Sequence, residues 1–415
     1  MLTVDLSNIW AHASLPELLE LEGELGRAHQ TLLGMGEDAV RPCWVEDTLD
    51  EGGQEEEAVL AAAGKIREQS QVCLVLAARG LCLGPQGVIA ALGREEGSPE
   101  LLFAGDSFGT HSHHALEKAL EGRDYSLILV SGQGREPEFA AAARIFRWQL
   151  ERKYGTEEAA RRVYAITTPD SPLCLTAREE GWEIFSFSEE EPFSCLSPRW
   201  LLPLAVAGVN LSAFRLGAAQ VRQEALVQSF ENPLWLSVGV RNLMGRRGRG
   251  REILTFQEPC LEPFARWWQH LFSCDRVYPA TALLPRDRVD VENALLTVLG
   301  FEAPEKPVFV DADWKNRDGL GHLEGKPLDW LEGRVREAAA SGADWGNPLL
   351  TMDCGPFNSQ TLGELSAFFL LSARLSALVQ QLPAGEAPTL RALDTLLGLA
   401  PETGYNGNAE QIVCG

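Results

Sequence analysis

Unbroken apolar runs of strand length punctuate the first half of the chain. They read "VCLVLA" (72–77), "LLFAG" (101–105), "SLILVS" (126–131), "RVYAIT" (162–167) and "WEIFSF" (182–187). Between them lie segments with helical spacing: "GPQGVIAALGR", "HHALEKALEG", "EPEFAAAARIFRWQLERKYG" and "PLCLTAREEG". Strand and helix in alternation predict a parallel sheet wrapped by helices. Strands that are apolar throughout, rather than at every second position, fit a sheet covered on both faces.

The second half repeats the theme with less regularity. "SPRWLLPLAVAGVNLSAFRLGAAQVRQEALV" reads as a long helical passage. Strands are expected at "REILTF" (251–256), "RVYPAT" (276–281) and "PVFVDA" (307–312), and a strong helix at 357–382. Residues 1–50 read as helical, with "LPELLELEGELGRAHQTLLGM" apolar on one face. The tract "EDTLDEGGQEEE" reads as a solvated loop and helix start, and residues 383–415 as a loop, a short helix and a polar tail ending near Cys414. No simple short-period repeat is present.

A chain of 415 residues with 45% hydrophobic content can bury a large core, in two domains. The formal net charge of −23 argues against nucleic acid and anionic membranes as partners. It also repels a sugar phosphate unless a local positive pocket compensates. Nine cysteines without paired spacing read as reduced thiols of a cytoplasmic protein. The opening residues lack a basic, apolar leader pattern, and no run of about eighteen apolar residues is present.

Ligands of doubly wound sheets bind beyond the carboxyl ends of the strands. Two such ends carry Gly-containing turns, "LVLAARGLCLGPQG" and "LILVSGQGREPEF". Free N–H groups at a helix start would cradle a phosphate there. Three other features invite a functional reading. "THSHH" (110–114) sets His111 and His114 on one helical face, as metal ligands are set, or forms an exposed polar helix start. "GRRGRGRE" (245–252) either meets an acidic partner or phosphate or makes a solvated hairpin turn. Trp267 and Trp268 read as packing.

The order of features resembles the phosphoglucose isomerase (glucose-6-phosphate isomerase) family, in its compact bacterial form. "CLGPQGVIAAL", "EPEFAAAARIFRWQLERKYGTEEAARRVYAITT", "FSCLSPRWLLPLAVAGVNL", "ENPLWLSVGVRN" and "EPFARWWQHLF" carry the resemblance through most of the chain. It implies two SIS-type three-layer α/β/α sandwiches with parallel-sheet cores and helical terminal segments. The corresponding boundaries are a helical segment 1–55, a first α/β domain 56–215, a second 216–382 and a C-terminal helix and tail 383–415. It further implies a homodimer with active sites near the interface, no cofactor or metal, and interconversion of glucose 6-phosphate and fructose 6-phosphate.

The chain departs from the family where that chemistry resides. The first turn, GIGGS in the family, is Ala77, Ala78, Arg79, Gly80 and Leu81. The phosphate loop, S-K-[ST]-G-T-T-x-E, becomes Ser131, Gly132, Gln133, Gly134, Arg135, Glu136, Pro137 and Glu138. Two threonine hydroxyls are thus lost, Glu136 repels phosphate, and Pro137 removes a donor. Isomerisation through an enediol needs a general base, a cation for the enediolate and groups that open the ring. The resemblance puts the base on Cys274, next to Asp275, and the cation on Glu190, Glu191 and Pro192. It puts the histidine on Val289 and the late lysine near Leu390 or Arg391.

Three readings follow. The chain is a catalytically impaired relative with a binding or structural role, sensing a sugar phosphate or another small anionic metabolite. Alternatively it is active through displaced groups, with Asp275 as base and Arg135 or Arg79 on the phosphate; Gly80, Ser131 and Gly134 remain as loop positions. Or it is a structural subunit of a homo- or hetero-dimer.

Overall fold

The computed structural model describes residues 2–35, 54–78, 80–187, 194–287, 293–340 and 348–382. Within them the strands are, in chain order, β1 (Thr3–Asp5), β2 (Val72–Ala77), β3 (Glu100–Ala104), β4 (Tyr125–Val130) and β5 (Val163–Thr167). These are followed by β6 (Glu183–Ser186), β7 (Arg251–Phe256), β8 (Tyr278–Leu283), β9 (Ala294–Gly300) and β10 (Leu349–Asp353).

The five apolar runs of the first half form one sheet in the order β3-β2-β4-β5-β6, parallel throughout. Alternate residues of β2 enter different cores. Val72, Leu74 and Leu76 join Phe139, Phe146 and Leu150 of the helix Pro137–Tyr154, and Leu173 of the helix Pro172–Glu180. Cys73, Val75 and Ala77 face the other way, toward Val59 and Ile66 of the helix Gln54–Gln69 and Val88 of the helix Leu83–Leu92. A sheet with apolar layers on both sides is what the unbroken runs require, and it makes a three-layer sandwich.

The second sheet has the order β1-β10-β9-β7-β8. Its strands are parallel except β1, which pairs antiparallel with β10, Val4 opposite Met352. The opening residues, expected to be helical, therefore give an edge strand before the helices Leu15–Leu19 and Glu22–Leu32. The strand expected at 307–312 does not form. Val308 and Phe309 are 61% and 55% exposed, and the segment makes only an isolated bridge between Phe309 and Pro327. Strand propensity without a buried face does not hold a strand in a sheet. "ALLTVLG" and "LLTMD" supply β9 and β10 instead.

The long helical passage divides at Gly208 into the helices Pro198–Ala207 and Leu211–Glu224. The second of these packs along Ser359–Val379 with backbones in contact. A Cβ on Gly217 would lie 2.0 Å from Gln360 O, and one on Gly363 would lie 2.0 Å from Phe214 O. Any side chain there would push the two helices apart. Ser359–Val379 is long and apolar enough to cross a membrane by length and composition, but it is mostly buried inside the protein.

The two sheets are joined through the helices Leu83–Leu92 and Glu262–Leu271. A Cβ on Gly87 would sit 2.6 Å from Phe264 Cα. Trp267 stacks edge-on against Trp200, with centroids 5.2 Å apart. Trp267 and Trp268 are 3% and 2% exposed, so the tryptophan pair is packing, as its apolar setting suggests.

Candidate functional site

β2 and β4 are neighbours, so the turns that follow them meet at one edge of the first sheet. The N–H of Ala78 donates to Val130 O at 2.9 Å. Beyond it Gly80 adopts φ +77°, and a Cβ there would lie 3.0 Å from His270 Nε2. His270 thus packs on the bare face of Gly80, bringing the end of the helix Glu262–Leu271 to the first turn. His270 is exposed to solvent, yet the protein packed against its ring pushes its pKa below the ordinary value. Sequence reasoning missed His270. Its signal was a polar ring in "WWQHLF", one turn after Arg266 on the exposed side of the helix.

The second turn is closed on itself. Ser131 is fully buried. Its hydroxyl donates to Glu136 Oε2 at 2.6 Å and accepts from the N–H of Gly134 at 2.6 Å. Thr167 and Thr168 donate their hydroxyls to Gly132 O at 3.0 and 2.7 Å. Gly134, at φ +75°, takes a backbone shape that favours glycine, and a Cβ on it would sit 2.7 Å from Leu173 Cβ. A serine has one proton to give, and here Glu136 has it. The hydroxyl and the N–H that would meet a phosphate are both spent, and a carboxylate stands beside them. Two like charges about 4 Å apart repel by about 4 kcal/mol at an effective dielectric of 20. Arg135, the nearest cation in sequence, is exposed and makes no ion pair among the described residues. Glu138 is buried at the helix start.

Asp275 lies elsewhere, in a closed polar knot, and its side chain is 4% exposed. Four donors reach its carboxylate: Arg241 Nε at 3.3 Å, Ser376 Oγ at 2.7 Å, Gln380 Nε2 at 2.6 Å and the N–H of Val277 at 2.9 Å. Those donors match its lone-pair sites. Arg241 also pairs with Glu252 and donates to Val277 O at 2.6 Å. Thr297 Oγ1 donates to Glu252 at 2.5 Å. Burial lowers the pKa of Arg241, while Asp275 holds it up. A general base must reach the proton it takes, and this carboxylate is enclosed and fully engaged. Neighbouring Cys274 is an exposed free thiol.

The structure therefore brings Gly80 and His270 together and closes Ser131, Gly134 and Glu136 into one turn, while Asp275 stays in its own buried network. Arg79, Glu190, Glu191, Pro192, Val289, Leu390, Arg391 and the segment 383–415 lie outside the described residues.

The remaining motifs resolve into local contacts. His113 Nδ1 lies 3.0 Å from Gly109 O and the ring stacks on Phe146; His114 pairs with Glu117 at 2.8 Å. Among the described residues no group of three or more histidines, cysteines or carboxylates is placed to hold a metal. "GRRGRGRE" is a helix-to-strand connection, not a hairpin. Its acidic partners belong to the same chain: Arg246 pairs with Glu24 at 2.7 Å, and Arg247 pairs with Glu17.

Two mostly parallel sheets, with glycine turns at the carboxyl edge of the first, define an α/β chain of the SIS type. No family model matches the chain. It is 30% identical over 429 residues to a glucose-6-phosphate isomerase of Lactobacillus gasseri, covering 97% of this chain and 96% of that one. It is also 30% identical over 405 residues to one of Bacillus cytotoxicus, covering 90% of each. A hypothetical protein of Thermus thermophilus shares the fold at a TM-score of 0.82 and 22% identity, covering 96% of this chain and all of that one. A glucose-6-phosphate isomerase of Chlamydia trachomatis does so at 0.76 and 14%, covering 96% and 87%. The chain belongs to the glucose-6-phosphate isomerase family.

Proposed function

We propose that this chain is a catalytically impaired member of its family, retained for binding or structure rather than for isomerisation. One observation carries the reading: the hydroxyl of Ser131 is spent on Glu136, so the phosphate loop holds an anion of its own. The replacements at Cys274, Glu190, Glu191, Pro192 and Val289, inferred from the resemblance, point the same way. The enclosure of Asp275 argues against it as a displaced base. No cofactor is needed for either role. We also infer that two copies pair, supported by the apolar side chains exposed on the segment after β9, among them Phe309 and Trp314.

The test is conversion of fructose 6-phosphate to glucose 6-phosphate, coupled to a dehydrogenase, with protein made in a host lacking its own isomerase. The expected turnover is at least a thousandfold below ordinary enzyme values of roughly 1–1000 per second. Turnover inside that range overturns the reading. In that event the imidazole of His270, which packs against Gly80 of the first family turn, is the group to remove first. Sedimentation velocity of the purified chain decides between one copy and two.

A further inference from the structure

We propose that the second sheet carries a small-molecule site of its own, at the carboxyl ends of β9 and β10, which takes a basic α-amino acid such as lysine. Doubly wound sheets bind their ligands beyond the carboxyl ends of the strands. There the chain leaves a polar cavity of about 340 Å³, within the size of small-ligand pockets. Thr3 of β1, Gly300 of β9, Glu302, Asp353 of β10 and Arg336 of the helix Leu328–Ala340 line it.

Opposite charges face one another over the bare face of Gly300 and do not pair. A Cβ on Gly300 would lie 2.9 Å from Arg336 Nη1 and 3.2 Å from Asp353 Oδ1, so both groups reach one small space. Glu302 stands at the same end: its N–H donates to Gly355 O at 2.9 Å, and its Oε1 lies 3.9 Å from a Cβ built on Gly355. The side chains of Arg336, Asp353 and Glu302 make no hydrogen bond or ion pair among the described residues. The lining therefore offers one unspent cation and two unspent carboxylates. Glu332, one turn before Arg336 on the same helix, adds to the acidic sign without lining the cavity. A basic amino acid carries the mirror set, one carboxylate and two ammonium groups.

Each charge of that ligand then has one partner. Arg336 takes the carboxylate by two parallel hydrogen bonds, Asp353 takes the α-ammonium over Gly300, and Glu302 takes the side-chain ammonium. A phosphate monoester or a dicarboxylate would meet two carboxylates and be repelled. The net charge of −23 draws cations to the surface as a whole. The cavity belongs to the other sheet from the turns at Gly80 and Ser131, so the inference stands whether or not the chain turns over sugar phosphates.

Lysine is the probe, titrated against the full chain by calorimetry and saturation-transfer NMR. One saturable site is expected. Norleucine, which lacks the side-chain ammonium, and cadaverine, which lacks the carboxylate, should each bind about tenfold more weakly, the loss of one charge-assisted contact. Arg336→Gln should weaken lysine about tenfold without weakening cadaverine, and Asp353→Asn should weaken both. Gly300→Ala sets a methyl group between Arg336 and Asp353 and should remove binding while the circular dichroism stays unchanged; should that variant misfold, Arg336→Gln decides alone. Absence of saturable lysine binding overturns the proposal, as does lysine binding that Arg336→Gln leaves unaltered or cadaverine bound as tightly as lysine.

Discussion

The turn Ser131–Glu138 and the knot around Asp275 both spend a carboxylate on holding the chain to itself, at opposite extremes of enclosure. Glu136 is half-buried, takes a single serine proton and closes a surface turn. Asp275 is nearly sealed and receives donors from the helices Pro233–Arg246 and Ser359–Val379 as well as from its own turn. The first arrangement is local, set by side chains within six residues of one another. The second couples segments more than a hundred residues apart. A carboxylate of the first kind can be exchanged without disturbing the fold, so loss of a phosphate cradle there needs little else to change. One of the second kind belongs to the architecture.

The sharpest way to break that comparison is to remove Asp275. Asp275→Ala leaves Ser376 and the Val277 N–H without their acceptor, takes one of three acceptors from Gln380 Nε2 and removes one of the two carboxylates of Arg241. Breaking a buried ion pair from one side costs about 3–5 kcal/mol. Urea denaturation should show that loss as a lower midpoint, and Asp275→Asn, which keeps two acceptor positions, should lose less. An Asp275→Ala protein as stable as the wild type would mean that the enclosure is not structural, and the base role would return.

The next largest effect lies at the turn. Restoring the hydroxyls with Arg135→Thr and Glu136→Thr frees Ser131 and removes the internal anion. Gaining one or two hydrogen bonds to a charged ligand, at about 1.5–3 kcal/mol each, should tighten inorganic phosphate by at least tenfold over the wild type in calorimetry. Glu136→Gln isolates the charge, because it keeps the size and an acceptor for Ser131. If Glu136→Gln and the double variant bind phosphate no better than the wild type, the carboxylate is not the barrier.

The same contrast explains how much was legible in the sequence. The first sheet was, because its strands are buried on both faces and read as unbroken apolar runs; "VCLVLA" coincides with β2. The second sheet was legible only in part. Thr3–Asp5 is too short to show a period, and its place is fixed by pairing with β10, more than three hundred residues away. "PVFVDA" has the composition of a strand and finds no neighbour. At the site, the loss of donors could be read from Glu136 and Pro137 alone, whereas the closure of Ser131 onto Glu136 needed coordinates. Nothing in "SCDRVYPAT" shows that Asp275 is enclosed, since its side-chain partners come from positions 241, 376 and 380.

The smallest effects concern the N-terminal segment, which is held by one buried and one exposed device. His29 is fully buried; its Nε2 donates to Ala225 O at 2.6 Å, and its Nδ1 accepts from Trp235 Nε1 at 2.5 Å. The ring is therefore neutral, and burial keeps its pKa below the ordinary value despite the Ala225 bond. A lowered histidine pKa contributes stability that is complete above about 6.5 and is lost as pH falls below it, by at most about 1.4 kcal/mol per pH unit. Glu17 differs: its hydrogen bond to Arg247, and then those from Ser14, draw its pKa down to about 2. Its contribution is complete above about 4.5 and fades as pH falls toward 2, and exposure to solvent keeps it small. Thermal midpoints followed against pH should thus decline first below 6.5 and again below 4.5. Arg247→Ala should erase only the lower step, and high salt should weaken that step while sparing the upper one. A salt-sensitive upper step would place the histidine latch in solvent and remove the distinction between the two devices.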